Sequence, residues 1–265
     1  MAKLNLSPEQ QLQEDKYLFP YHYIVSFKNS DFCHYRVLDW GYIYASYIKF
    51  VISQIKKKRP FSILDVGCGA GRFLFYVRKN LKNVKLTGID YSSRAILFAK
   101  AFCPDIEFIL GDILNDDLLR EKYDIITLIE VLEHIPSADI SFLLKRISEK
   151  INNDGFLFVT VPSKNKNLNP KHYQHFDLNS LRQMLEPQFR IENTYFLNKM
   201  CFWDNLIKTI LTNKYFILRN KKMLSILFRI YEKFLLLTNE NKSMRIFVIC
   251  KKVDPEHIIK TLKHT

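Results

Sequence analysis

The 265-residue sequence predicts an α/β fold: an open, doubly wound, mostly parallel sheet of seven strands with helices on both faces. Three observations predict it. Short apolar runs alternate with amphipathic stretches from residue 60 to residue 161. The run YDIITLI at 123–129 is almost wholly apolar, as a strand covered on both faces must be. A glycine-rich turn joins the first of these runs to the helix behind it. Parallel strands joined by helices this close to them require right-handed crossovers.

In chain order, FSILDV at 61–66 is the first strand of the sheet and 72–81 the helix after it. VKLTGI at 84–89 is the second strand. The helix over 92–102 starts at Ser92 or Ser93, whose hydroxyl can accept from an open amide of the first turn. Strands over 106–110 and 123–129 follow, then a helix over 138–151 stopped by a turn at Asn152-Asn153-Asp154-Gly155. The fifth strand is 156–161. Beyond a polar loop at 163–170, Asp177 is placed to cap a helix that runs to Glu186, with Pro187 to end it. Strands at 189–197 and 245–251, the last antiparallel, complete the seven. The organisation expected is an aromatic arm and lid helix over 1–59, a core over 60–198 and 240–253, a basic helical insertion at 199–239 and a tail at 254–265.

Composition narrows the class. A hydrophobic share of 48% excludes a disordered chain, and no stretch approaches the roughly 18–20 uncharged apolar residues of a bilayer span. The first 13 residues are polar, so a soluble, cytoplasmic protein is expected. Five scattered cysteines without a C-x-x-C pair fit a reducing compartment and no disulfide frame. Lys+Arg 40 against Asp+Glu 27 gives a net charge of +13, which suits an anionic partner or simply solvated lysines. Between Lys199 and Lys233 eight cations face only Asp204 and Glu232, interleaved with aromatic and aliphatic residues. That make-up fits a helical cover on the sheet, peripheral contact with an anionic inner membrane surface, or contact with an anionic polymer such as RNA, which lacks a recognised binding motif here.

The chemistry concentrates at strand ends. Residues 63–71, ILDVGCGAG, run a strand into a glycine turn and then a helix. Arg72 stands where a dinucleotide fingerprint would place its third glycine, and Asp65 lies in the strand two positions before Gly67. A pyrophosphate would not welcome that carboxylate, whereas an amino-acid ammonium would. The segment resembles motif I of the class I S-adenosylmethionine-dependent methyltransferases, which implies a Rossmann-like methyltransferase sheet and S-adenosylmethionine (SAM) as cofactor. The resemblance covers about 61–197 and the last strand. It implies cofactor contacts from Asp65, Gly67, Cys68, Gly69 and Gly71, from Asp90 and Tyr91 at the ribose, from Asp112 and Ile113 at the adenine, and from Glu130 near the methionine part.

The run LIEVLEHI at 128–135 is similar to that of the quinone-biosynthesis and other small-molecule O-methyltransferases. Its Glu-x-x-Glu-His also resembles the small-RNA 2′-O-methyltransferases, in which such a run joins a later histidine on a divalent metal. Two chemistries and a structural role stay open here. His134 or His175, with Glu133, removes a hydroxyl proton. Alternatively Glu130, Glu133, His134 and His175 hold Mg²⁺ or a similar ion, with His172 as the second choice of late histidine. In the third, Glu133 and His134 only cap the next helix. No N/D-P-P-Y segment and no Pro-Cys pair point to DNA methylation. The rings of Tyr17, Phe19, Tyr21, His22, Tyr23, Trp40 and Tyr44 either close over the site or pack in the core. The acceptor implied is a hydroxyl of a small molecule, sugar or lipid-linked glycan, with an RNA end as the alternative and a non-catalytic scaffold as the reading from another class.

Overall fold

The computed structural model describes residues 7–14, 26–28, 31–33, 38–114, 118–186, 188–212, 215, 218 and 220–253. The chain opens with α1 (Pro8–Glu14), a two-stranded antiparallel ribbon of β1 (Ser26–Lys28) and β2 (Asp31–Cys33), and the long α2 (Leu38–Lys58). The sheet region then runs β3 (Ser62–Val66), α3 (Arg72–Asn80), β4 (Lys85–Asp90), α4 (Ser93–Phe102), β5 (Glu107–Leu110), β6 (Tyr123–Ile129), α5 (Ser137–Lys150) and β7 (Ile151–Pro162). It ends with α6 (Leu178–Leu185), β8 (Phe189–Lys199), α7 (Phe202–Thr212), α8 (Lys221–Phe234), β9 (Leu237–Thr238) and β10 (Ser243–Lys252).

The main sheet has the order β5-β4-β3-β6-β7-β10-β8-β9. β10 is antiparallel to both of its neighbours, so six strands run one way and β10 is threaded between β7 and β8. The seven expected strands are all present; the eighth, β9, is a two-residue strand on the edge of β8. Two apolar layers cover the two faces. One takes Ile48, Val51 and Ile55 of α2 with Leu74 and Val77 of α3 and Ile96 and Ala99 of α4. The other takes Ile140, Leu143, Leu144 and Ile147 of α5 with Leu181 and Leu185 of α6. Both follow the i, i+3, i+4, i+7 spacing that puts one helix stripe against a sheet.

The helix starts follow their side chains. Ser92 accepts from the Ala95 amide at 3.1 Å, and Asp177 accepts from the Ser180 amide at 2.7 Å while Ser180 reciprocates to the Asp177 amide at 3.1 Å. One local expectation is corrected. Residues 152–155 do not form a turn that ends α5: they bulge within β7, whose Ile151 and Phe156 pair with Tyr123 and Ile125 across β6. A Cβ on Gly155 would stand 2.9 Å from the Asn152 carbonyl and 3.0 Å from the Asp124 carbonyl, so the bulge closes only around glycine.

Chain order fixes where the crevice opens. From β3 the chain winds outward to β4 and β5, then returns to β6 on the opposite side of β3. The carboxyl ends of β3 and β6 therefore diverge into loops on opposite faces and leave a cleft between them.

Candidate active site

The cleft at that switch point is lined by Val66 and Gly67 after β3, Ile89, Asp90 and Tyr91 at β4, Gly111 to Leu114 after β5, and Glu130, Val131, His134 and Ile135 after β6. Glu9 and Gln10 of α1 close the rim. α1 is tied there by Tyr173, whose hydroxyl donates to Glu9 Oε2 at 2.8 Å. The described lid is thus this short acidic helix. The arm at 17–23 lies outside the described residues, as does the Trp40 side chain, and Tyr44 instead packs inward under the Arg72 guanidinium, 4.6 Å from its ring centroid.

The glycine turn is built by close approach. Gly67, Gly69 and Gly71 have φ of 70°, 52° and 74°, a left-handed backbone that suits glycine. The amides of Gly67 and Cys68 both donate to the Ile89 carbonyl, at 2.8 and 3.1 Å, which clips the turn to β4. The Cys68 side chain points away from the cleft into the core against Gly88, and burial pushes its thiol up. Any contact Cys68 makes with a cofactor is therefore through its backbone.

Each acidic landmark is held in a different way. Asp90 accepts from the Gly69 amide at 2.8 Å through Oδ2 and from the Ser92 amide at 2.9 Å through Oδ1, so the turn and the start of α4 are both keyed to it. Asp112 Oδ1 accepts from the Leu114 amide at 2.9 Å, which shapes the loop carrying Ile113 along the cleft wall. Asp65 lies beneath the turn, 2% exposed, and accepts from the Thr127 hydroxyl at 2.6 Å. Burial pushes its carboxyl up to about 7, against the opposing pull of that hydroxyl.

Glu130 follows β6 with φ 58°, unusual for a side chain of its size. Its amide donates to the Thr160 carbonyl at 3.0 Å, and its carboxylate takes both prongs of Arg245. Burial works against the Glu130 charge, but the guanidinium outweighs it and holds the carboxyl below its usual range. Sequence reasoning missed Arg245: it sits in a strand otherwise read as apolar, and nothing near it in the chain signals a partner.

The polar cluster differs from the expected set. The structure brings together Glu133, His134 and His172, whose potential ligand atoms lie within 4.8 Å of one another. Glu130 is drawn off by Arg245. His175 is buried with both ring nitrogens engaged, Nδ1 with the Lys166 carbonyl at 3.1 Å and Nε2 with His172 Nδ1 at 2.9 Å. A carbonyl only accepts, so His175 Nδ1 is the donor and its Nε2 accepts from His172. His172 therefore carries its proton on Nδ1 and leaves Nε2 as a lone-pair nitrogen. By the same reasoning His134 donates through Nδ1 to the Lys171 carbonyl at 2.9 Å. Burial first, and then the neighbouring His134, bring His172 down to about 3, so it stays neutral. Glu133 is 1% exposed with Oε2 unpartnered, and burial, with Glu130 second, pushes its carboxyl well up. A buried acceptor without a donor is costly, and its place beside the His134 and His172 imidazoles suits a cation or a hydroxyl donor.

These features fit a flat purine and a ribose diol. Val66, Ile89, Ile113, Leu114 and Val131 supply apolar walls, and Asp90 and Asp112 supply acceptors at two points along them. Residues 63–155 match the family model described as a methyltransferase domain. The matched segment is a methyltransferase domain, and the fold around it is similar to that of solved SAM-dependent methyltransferases. Among curated relatives it is 33% identical over 103 residues to (S)-coclaurine N-methyltransferase of Thalictrum flavum subsp. glaucum, covering 37% of this chain and 28% of that protein. It is 31% identical over 129 residues to the ubiquinone biosynthesis O-methyltransferase of Coxiella burnetii, covering 44% and 50%. The chain thus spans between about a quarter and a half of the length of these relatives. In fold it is similar to the SAM-bound magnesium protoporphyrin IX methyltransferase of Synechocystis PCC 6803, with a TM-score of 0.55 at 14% identity over 94% of this chain and 100% of that one. A SAM-dependent methyltransferase of Archaeoglobus fulgidus gives 0.52 at 17% over 78% and 94%.

Proposed function

We propose that this protein methylates a hydroxyl of a small molecule, with SAM as donor. The observation that supports it best is the presence, in one cleft, of Asp90 and Asp112 together with the imidazole of His134. Asp90 would accept from the ribose diol, Asp112 from the adenine amine, and the glycine turn would admit the amino-acid end above Asp65. The cofactor, when bound, supplies a methyl on a cationic sulfur that is already activated. The protein's share is alignment and proton removal. With Nδ1 donating to the Lys171 carbonyl, His134 in its neutral form would take the acceptor's proton on Nε2 as the new O–C bond forms and the S–C bond breaks. His172 positions it: His175 fixes the His172 tautomer, and the His172 ring packs edge to face against His134, ring centroids 4.8 Å apart.

A second reading is favoured by the orphan Oε2 of Glu133. Glu133, His134 and His172 would then hold a divalent ion such as Mg²⁺ or Mn²⁺, which would acidify the acceptor oxygen. That set offers one oxygen and two nitrogens, which does not select one metal. It is also the arrangement that would serve 2′-O-methylation of an RNA end.

Calorimetry and transfer of labelled methyl from SAM to a panel of phenols, quinols and sugars test the proposal. Cofactor binding that is lost in Asp90→Ala, with label reaching a hydroxyl and lost in His134→Ala, supports it. Absence of cofactor binding makes the chain a scaffold, and label on amines alone overturns the hydroxyl acceptor. Loss of transfer in EDTA, with recovery in Mn²⁺, supports the metal reading.

A further inference from the structure

We propose that α8, with α7 beside it, docks this protein on an anionic phospholipid surface. α8 faces the body with one arc. Tyr231 and Leu235 are buried with Ile207 and Leu211 of α7, and the Tyr42 hydroxyl of α2 donates to the Leu224 carbonyl at 3.0 Å. The opposite arc is apolar and open: Met223, Ile226, Ile230 and Phe234 are 51%, 54%, 43% and 59% exposed. At about 100° per residue these four fall within one arc of roughly 80°. Lys222, Arg229 and Lys233 occupy the arc next to it, all exposed. On α7, Phe202 and Trp203 are 73% and 63% exposed, their rings edge to face at 5.6 Å.

The carboxylates are turned away from this face. Asp204 is buried and ion-paired with Lys208, and Glu232 is ion-paired with Lys49 of α2 at 2.7 Å. What faces solvent is an apolar stripe with a cationic border. Scattered surface apolar groups are ordinary, but a continuous exposed stripe bordered by charge marks an interaction site. A bilayer interface fits both parts at once. Ile and Phe side chains enter the acyl boundary, an indole sits at headgroup level, and lysine stems lie along the surface with their ammonium ends at lipid phosphates. An RNA backbone would meet the cations and leave Ile226, Ile230 and Met223 without a partner. α8 has 14 residues, a length of about 21 Å, so it lies on a membrane and does not cross it.

The full chain, with Trp40→Phe so that Trp203 is the reporter, is sedimented with phosphatidylcholine vesicles with and without about 30% phosphatidylserine, at low and high salt. The inference expects about tenfold or greater preference for the anionic vesicles at low salt, reduced by high salt, with a blue shift of Trp203 emission. Ile226→Glu with Ile230→Glu, and separately Lys222→Glu with Lys233→Glu, should each cut binding about tenfold or more while circular dichroism and SAM affinity stay as in the parent. Equal binding to the two vesicle types, or unchanged binding of the Ile pair variant, overturns it. So does capture of polyuridylate in place of vesicles. None of these readouts depends on methyl transfer, so failure here leaves the proposed activity standing.

Discussion

Glu130 and Arg245 lie 115 positions apart and meet in a two-pronged ion pair, Nε to Oε1 at 2.8 Å and Nη2 to Oε2 at 2.7 Å. The third prong, Nη1, donates to Asn198 Oδ1 at 3.0 Å, and the guanidinium lies 3.9 Å from the centroid of the Tyr47 ring. Asn198 has φ 61° and Glu130 φ 58°, so one buried cation holds two side-chain-bearing residues in the left-handed region. Such backbone costs of order 1–3 kcal/mol per residue and persists only where surrounding contacts over-determine it.

Arg245→Met should therefore destabilise the protein by about 3–5 kcal/mol in urea unfolding, because it leaves the half-buried Glu130 charge unpaired, and it should also weaken cofactor binding. The pH dependence follows from Glu130. Its folded carboxyl is held below the unfolded value of 4.5, so its stabilising share is present above that pH and is lost as pH falls through the lower folded value. The variant should show a flatter acid limb; an acid limb of unchanged slope would remove Glu130 from the account.

Asp65 gives the opposite sign. Its folded value of about 7 lies above the unfolded 3.8, so the folded state binds more protons between them and stability falls as pH rises across that window. Asp65→Asn should be more stable than the parent at pH 8, by about 2–4 kcal/mol, and equal to it near pH 3. If Asp65 meets the cofactor's ammonium, SAM binding at pH 6 should release a proton, read by calorimetry in buffers of different ionisation enthalpy.

A Cβ on Gly67 would stand 2.7 Å from Val131 Cγ2, and the turn has little room to move while its amide is bonded to the Ile89 carbonyl. Gly67→Ala should lower both melting temperature and cofactor affinity. Adding Val131→Ala removes the colliding methyls and should recover part of each loss, leaving the cost of φ near 70°. Gly71→Ala meets the Phe108 ring at 2.9 Å in the core and should cost more stability than Gly67→Ala.

Removing and returning metal separates the two roles of the polar cluster. In the metal reading, Mn²⁺ raises the melting temperature of the chelator-treated protein, and His172→Ala and Glu133→Gln abolish the rise. A shift of equal size in both variants would show binding elsewhere. If the parent shows no shift, the metal reading falls and His172 serves only to position the base.

Much of this was legible in the chain. The parallel strands announce themselves as apolar runs because both faces of each are covered, as at 63–66 and 125–128. Ser92 and Asp177 announce helix starts because capping is local chemistry, decided within three residues. The 152–155 segment misled because Asn, Asp and Gly suit a turn and a bulge equally, and only pairing with β6 distinguishes them. The choice of His172 over His175 for the cluster was equally hidden. Both lie in one short loop, and which ring faces Glu133 depends on the Lys166 carbonyl that anchors His175.

The sequence by itself determined the fold class, the glycine turn, and acidic residues at the ends of β4 and β5, because each depends on periodicity or on spacing within one strand and its turn. Only the tertiary structure decided that Glu130 belongs to Arg245, that α1 rims the cleft, and that the outer arc of α8 is exposed. These are contacts between segments far apart in the chain, where a side chain's role is set by the partner that folding brings to it and that its own neighbours do not encode.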